Sequence, residues 1–154
     1  WPGKVKAGSV SDQTVCLTDL MATCAQIVGA ELPDDSAEDS FDLLPVLLGE
    51  TDEPVREFTL HQTISLALAI RQGDWKYLDH KGSGGSNYSR DGEWGLKQYA
   101  LPDKAPEASG QLYNLREDPG ETNNLYFKKP FIREKLKAKL EELKQSGRSA
   151  PRRQ

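Results

Sequence analysis

The feature that most constrains this chain lies near its middle, in residues 66–78. Leu66, Leu68 and Ile70 alternate along one face, Gln72-Gly73-Asp74 reverses the chain, and Trp75, Tyr77 and Leu78 resume an aromatic-rich run. A period of two on both sides of a tight turn is the pattern of an antiparallel hairpin. Gly73 is the residue of that turn able to take positive φ without steric cost. A lone hairpin is marginal in water, so this one requires more strands or a helix to cover it. Residues 57–62 alternate in the same way, and Leu112, Tyr113 and Leu115 form a further strand. Ile132, Leu136, Leu140 and Leu143 recur at near-helical steps between Pro130 and Gly147. The expected fold is therefore α+β: a small antiparallel sheet of about four strands packed by a C-terminal helix.

Residues 1–50 have a different period. Leu17, Leu20, Met21, Cys24, Ile27 and Val28 recur every three or four residues, with Thr18 as a candidate N-cap, Asp19 in the first turn and Gly29 as the stop. Residues 31–42 are acidic and read as a solvated loop. Their carboxylates lack the spacing, central Gly and closing Glu of a calcium-binding EF-hand loop. Phe41, Leu43, Leu44, Leu47 and Leu48 form a short apolar turn around Pro45, ended by Gly49. The polar stretch 50–56 with Pro54 is the expected boundary, giving segments 1–50, 51–147 and a basic tail, 148–154, expected to be disordered. The run 81–95 is rich in Gly, Ser and Asn and reads as a long loop without the Lys-Ser/Thr ending of a phosphate cradle.

Composition narrows the function classes. With 154 residues, 36% hydrophobic and 29% charged, the chain supports a modest core under a highly solvated surface. A net charge of −4 argues against general nucleic-acid binding, and the late lysines are interrupted by Glu134, Glu141 and Glu142 as on a solvated helix face. No apolar run approaches membrane-spanning length. The chain opens on Trp1-Pro2-Gly3 and reads as if cut from a longer one, so the lack of a leader carries little weight. Cys16 and Cys24 are the only cysteines; eight residues of helix separate them by about 12 Å, which excludes a disulfide. With His61 and His80 they match no zinc spacing and are expected to be two buried thiols.

Four segments in register resemble the C-terminal part of a type I sulfatase, of the bacterial arylsulfatase-like kind in the alkaline phosphatase superfamily. These are Trp1-Pro2-Gly3-Lys4 with Gly8-Ser9-Val10-Ser11-Asp12; Thr18-Asp19-Leu20 through Gly29, then Asp39-Ser40 and Leu44-Pro45-Val46-Leu47-Leu48-Gly49; Ala69-Ile70-Arg71-Gln72-Gly73-Asp74-Trp75-Lys76; and Gln111-Leu112-Tyr113-Asn114-Leu115 through Asp118-Pro119-Gly120-Glu121 and Asn123-Asn124-Leu125. The likeness covers nearly the whole chain. It implies that residues 1–50 are the helical tail of a large α/β catalytic domain, and that the sheet and last helix are the C-terminal subdomain.

The resemblance also implies a division of labour. Sulfate-ester hydrolysis in the family uses a formylglycine made from a C/S-x-P-x-R motif, and a metal, usually calcium, both supplied by the N-terminal half. This segment would then carry no catalytic or metal-binding residue and be inactive alone. Its partners would be the missing N-terminal catalytic domain and a sulfated small molecule or polysaccharide, in a protein expected in the periplasm or outside the cell. His61 is the one candidate site residue, on a strand that can line the substrate pocket rim, and Arg71 and Lys76 are expected to pair with Asp74 and Asp118. Tyr88 and Trp94 are candidates for stacking on a sugar ring. The sequence departs from the family at Gln62, where a second histidine is common, at Leu66, near a usual glycine, and at Ala22, in place of proline. Ser149-Ala150-Pro151-Arg152-Arg153 fits S-x-P-x-R literally, but it lies late, in a basic tail. The alternative is a stand-alone interaction module with this fold, which would bury the apolar stripe of its first helix internally. A superfamily phosphodiesterase is the weaker third reading.

Overall fold

The computed structural model describes residues 1–63, 66–81 and 104–152. They form a 3-10 turn (Leu17–Asp19), helices α1 (Leu20–Val28), α2 (Leu44–Leu48) and α3 (Pro130–Ser146), and strands β1 (Thr59–Gln62), β2 (Leu68–Gln72), β3 (Trp75–Leu78) and β4 (Gln111–Asn114). The strands make one four-stranded sheet in the order β1-β2-β3-β4, and β2, β3 and β4 pair antiparallel. The chain divides into two compact units, Trp1–Thr59 with Glu142–Gln154, and Leu60–Glu141.

In the first unit a 3-10 turn, Leu17–Asp19, leads into α1 and contains Thr18. Thr18 is not the cap: its hydroxyl donates to the Asp39 carbonyl at 3.3 Å. Asp19 is wholly buried and serves as a hub. Its carboxylate accepts from the Cys16 N–H at 2.8 Å, the Phe41 N–H at 3.1 Å and Arg56 Nη2 at 2.6 Å. Arg56 is itself buried, donates to the Asp39 carbonyl and lies 4.5 Å over the Phe41 ring. A buried charge is tolerable only when paired and hydrogen-bonded in this way. Thr23 and Ser40 complete the lattice, their hydroxyls accepting the N–H groups of Leu43 and Ala22 at 2.9 and 2.8 Å.

That lattice decides which side of α1 turns inward. Ala22, Thr23 and Ala25 are buried, whereas Leu20, Met21, Ile27 and Val28 are 55, 55, 40 and 75% exposed. Leu17, at 86%, joins them. The small and polar side faces the unit, and the large apolar side faces solvent. The thiols also differ from expectation: Cys24 is exposed and Cys16 only partly covered, because Cys24 stands outside the buried side of α1.

Residues 148–152 are not a free tail. Arg148 Nη1 donates to the carbonyl and to Oδ1 of Asp34, both at 3.0 Å, and Arg152 Nη1 reaches Asp34 Oδ2 at 2.6 Å. The N–H groups of Ser149 and Ala150 donate to the Glu38 carbonyl, and Ala150 is buried. The acidic loop supplies the acceptors, so the basic run is ordered by attraction to it. Residues 153 and 154 lie outside the described residues.

The second unit has a conventional core. Ile70, Tyr77 and Leu112 share one sheet face by register and are almost wholly buried, as are Leu136 and Leu140 of α3. Ala69, Leu78 and Tyr113 pack together on the other face, joined by Leu115. At the hairpin turn Gly73 takes φ +56°, as its position demands. Beside β4, the buried Asn124 Oδ1 accepts the Leu112 and Tyr126 N–H groups, both at 3.0 Å. Asn124 thereby satisfies an edge-strand donor that has no strand partner. Gly110 lies so close to the Leu78 carbonyl that a Cβ there would sit 2.5 Å from the oxygen.

Candidate functional site

His61 lies on β1. The Thr63 N–H donates to the Ala67 carbonyl at 2.9 Å, and continuing that antiparallel register puts His61 opposite Ala69. Arg71 is then the diagonal neighbour on the same face, and Arg71 pairs directly with Lys76 on β3. One face of the sheet thus carries His61, Arg71 and Lys76 in an oblique row, beside the buried Ala69, Leu78 and Tyr113 of the same face.

The three cationic or titratable groups are handled differently. Lys76 is mostly covered and forms an ion pair with Glu121, whose backbone sits at φ +54° in the turn after Asp118. Arg71 donates from Nε to the Gly73 carbonyl at 3.0 Å, inside its own hairpin. Both expected carboxylate partners are engaged elsewhere: Asp74 bonds Arg116, and Asp118 accepts from the Thr122 and Asn123 N–H groups. Arg71 and Lys76 each have a partner within this unit, but not the carboxylate expected. Sequence spacing could place Arg71 beside Lys76, but not Glu121, which reaches the sheet only through the three-dimensional course of the 118–124 turn.

The His61 ring is accessible to solvent, yet enough protein surrounds it that partial desolvation lowers its pKa below the usual 6.5. The positive charges of Lys76 and then Arg71 push in the same direction, and Glu121 opposes them. The result is a neutral imidazole at neutral pH, able to donate one hydrogen bond and accept another. Such a group recognises hydroxyls or amides on a ligand. The row has no nucleophile with a base beside it, and among the described residues no three His, Cys, Asp or Glu side chains converge to hold a metal ion.

The other candidates separate clearly. His80 is half-buried, with Nδ1 3.0 Å from the Lys81 carbonyl and Nε2 shielded from solvent. Ser149 follows the end of α3 and opens no helix, so the S-x-P-x-R match lacks the context of a modification site; Arg153 of that match lies outside the described residues. The glycine-rich run from Gly82, with Tyr88 and Trp94, lies outside them too. Leu66, at the usual glycine position, takes φ +64° and is 71% exposed. The backbone keeps a left-handed geometry there although the residue is not glycine.

No family model matches the chain. Among curated proteins it is 33% identical to N-acetylgalactosamine-6-O-sulfatase of Bacteroides thetaiotaomicron, over 94% of this chain and 26% of that protein. It is 30% identical to the ulvan-active sulfatase of Formosa agariphila (88% and 30%) and 31% identical to human arylsulfatase A (81% and 24%). The chain spans about a quarter to a third of the length of these relatives. A solved structure from work on glycosaminoglycan metabolism by Bacteroides thetaiotaomicron superposes with a TM-score of 0.71 at 32% identity, covering 94% of this chain and 28% of that one. A second, solved with D-glucosamine-2-N,6-O-disulfate, gives 0.62 at 22% identity, covering 94% and 27%, and bears on the fold alone.

Proposed function

Because this chain is a relative of the sulfatases over nearly its whole length, we propose that it is the C-terminal part of a sulfate-ester hydrolase. On this reading it closes the fold of the enzyme and shapes one side of the substrate pocket. The observation that carries the reading is the outward apolar side of α1. Leu17, Leu20, Met21, Ile27 and Val28 present a continuous uncharged surface that a free-standing module would bury. Coverage of about a quarter of the first relative's length supports a preceding domain large enough to take that surface.

The active site belongs, on this reading, to the preceding domain. On the same reading the formylglycine and the metal that the resemblance implies are supplied by that domain; neither Cys16 nor Cys24 opens a C-x-P-x-R motif. His61 is the residue proposed to reach substrate, as a neutral hydrogen-bonding group at the pocket rim touching the sugar or aryl portion rather than the sulfate. Partial burial, and then the charges of Lys76 and Arg71, disfavour its protonated form. A sulfated carbohydrate or aryl sulfate is the proposed substrate class, and export to the periplasm or beyond belongs to the same reading.

Two experiments test this. The reading frame upstream of the Trp1 codon is expected to continue through a C/S-x-P-x-R motif; a start codon close to Trp1 would overturn the reading and favour the interaction module. Purified alone with calcium, the chain is expected to release no sulfate from nitrocatechol sulfate. Metal-dependent turnover by this chain would place the active site within it and refute the assignment.

A further inference from the structure

The turn into α3 and the start of that helix carry exposed groups that neither the sheet nor the His61 row uses. Phe127 is 57% and Phe131 83% exposed, and Lys128, Lys129 and Lys135 are exposed beside them. Phe131 and Lys135 stand four residues apart on α3 and therefore share a helical face. Phe127 does not hang free: its ring meets Tyr126 edge-on, with centroids 5.2 Å apart, and Arg133 lies 4.5 Å over the other member of that pair, Tyr126. Arg133 also holds Glu134 at 2.7 Å, so the carboxylate closest in sequence is already neutralised. Among the described residues no ion pair reaches Lys128, Lys129 or Lys135, so residues 128–135 carry three exposed ammonium groups without a carboxylate partner on a chain whose net charge is −4.

This surface differs in kind from the outward side of α1. An uncharged apolar side can be buried against another protein domain with little polar cost. Burying three unpaired lysines would carry a large desolvation penalty, so this surface suits a ligand that stays hydrated and brings its own negative charge. Exposed aromatic faces beside cations match a sugar polymer, whose ring C–H faces pack on aromatics while its anionic substituents meet the ammonium groups. We propose that Phe127, Lys128, Lys129, Phe131 and Lys135 form a surface site for a sulfated polysaccharide chain. The identity of the polyanion rests on the sulfatase reading; the complementarity of charge does not. The site marks the substrate as a polymer held at a second point, instead of a free sulfated monosaccharide.

The test is affinity electrophoresis of the 154-residue chain through gels containing chondroitin 6-sulfate or unsulfated chondroitin. The expected result is stronger retardation by the sulfated polymer, weakened by added salt. A K128E/K129E/K135E variant is expected to lose affinity roughly tenfold, and an F127A/F131A variant roughly threefold, both with unchanged circular dichroism. Absence of retardation, or equal retardation of all variants, overturns the site. So does binding to phosphatidylglycerol vesicles without binding to the polysaccharide, which would assign the patch to a membrane surface. A chain that fails this test while its upstream frame carries C/S-x-P-x-R would lose the surface site and keep the sulfatase reading.

Discussion

Two helices in this molecule carry comparable apolar stripes and meet opposite fates. In α3, Leu136, Leu140 and Leu143 are 2, 0 and 7% exposed, with lysines and glutamates turned outward. In α1, the large apolar residues are those turned outward, and Ala22, Thr23 and Ala25 are inside. An α3-like helix is complete within the chain. Helix α1 is locked in its inverted orientation by Asp19, Thr23 and Ser40, whose buried hydrogen bonds fix which side faces in. The comparison teaches that buried hydrogen bonds, and not the apolar stripe, decide which side of α1 faces inward.

Breaking the lock is expected to have the largest effect. Replacing Asp19 by Ala leaves Arg56 buried without its counter-charge and three donors unpaired, a loss of about 3–5 kcal/mol. Amides of residues 18–43 should then exchange rapidly while those of the hairpin 68–78 stay protected. Equal loss in both regions would show that the units do not unfold separately. Next is a paired experiment on the two stripes. Leu140→Ala should cost about 2–5 kcal/mol of unfolding free energy, whereas the double change Leu20→Ser and Val28→Ser should cost within roughly 0.5 kcal/mol per site and reduce self-association in sedimentation. A large destabilisation by the serine pair would mean that α1 buries its stripe after all.

Smaller effects sharpen the picture of the sheet. Leu66→Gly removes a side chain from a left-handed backbone at an exposed site, and a gain of up to about 1 kcal/mol in denaturant unfolding is expected. At Asp118 partial burial raises the carboxyl pKa, but the Thr122 and Asn123 N–H groups, the Thr122 hydroxyl and Lys104 outweigh it and hold the pKa below 3.8. A depressed carboxylate contributes stability above its unfolded pKa and loses it as pH falls through the folded value. The 118–124 turn should therefore loosen only below about pH 4, and Asp118→Asn should flatten that part of the acid unfolding curve. His61, held below 6.5 by partial burial and then by the charges of Lys76 and Arg71, is expected to titrate below that value by NMR.

Much of this was legible from residue order alone. The hairpin announced itself through alternation around Gly73, and α3 through its stripe between Pro130 and Gly147, because both signals are local, although Leu66 at the start of the alternation lies outside β2 and is exposed. The stripe of α1 was equally visible, but periodicity identifies an apolar side without naming what covers it. Contacts distant in sequence were hidden. Asp19 and Arg56 are 37 residues apart, and Arg148 and Asp34 are 114 apart. The last pair made a basic run that reads as a solvated tail into an ordered segment. At the candidate site, Arg71 beside Lys76 follows from hairpin register, whereas the Glu121 that neutralises Lys76 required the fold.

The most direct test of the central claim is hydrogen exchange on the isolated chain, read together with its sedimentation. The account predicts self-association, or fast exchange across residues 18–28, set against strong protection of residues 136–143. A monodisperse monomer with residues 18–28 as protected as α3 would contradict it. That result would show that α1 needs no partner and that this chain stands alone.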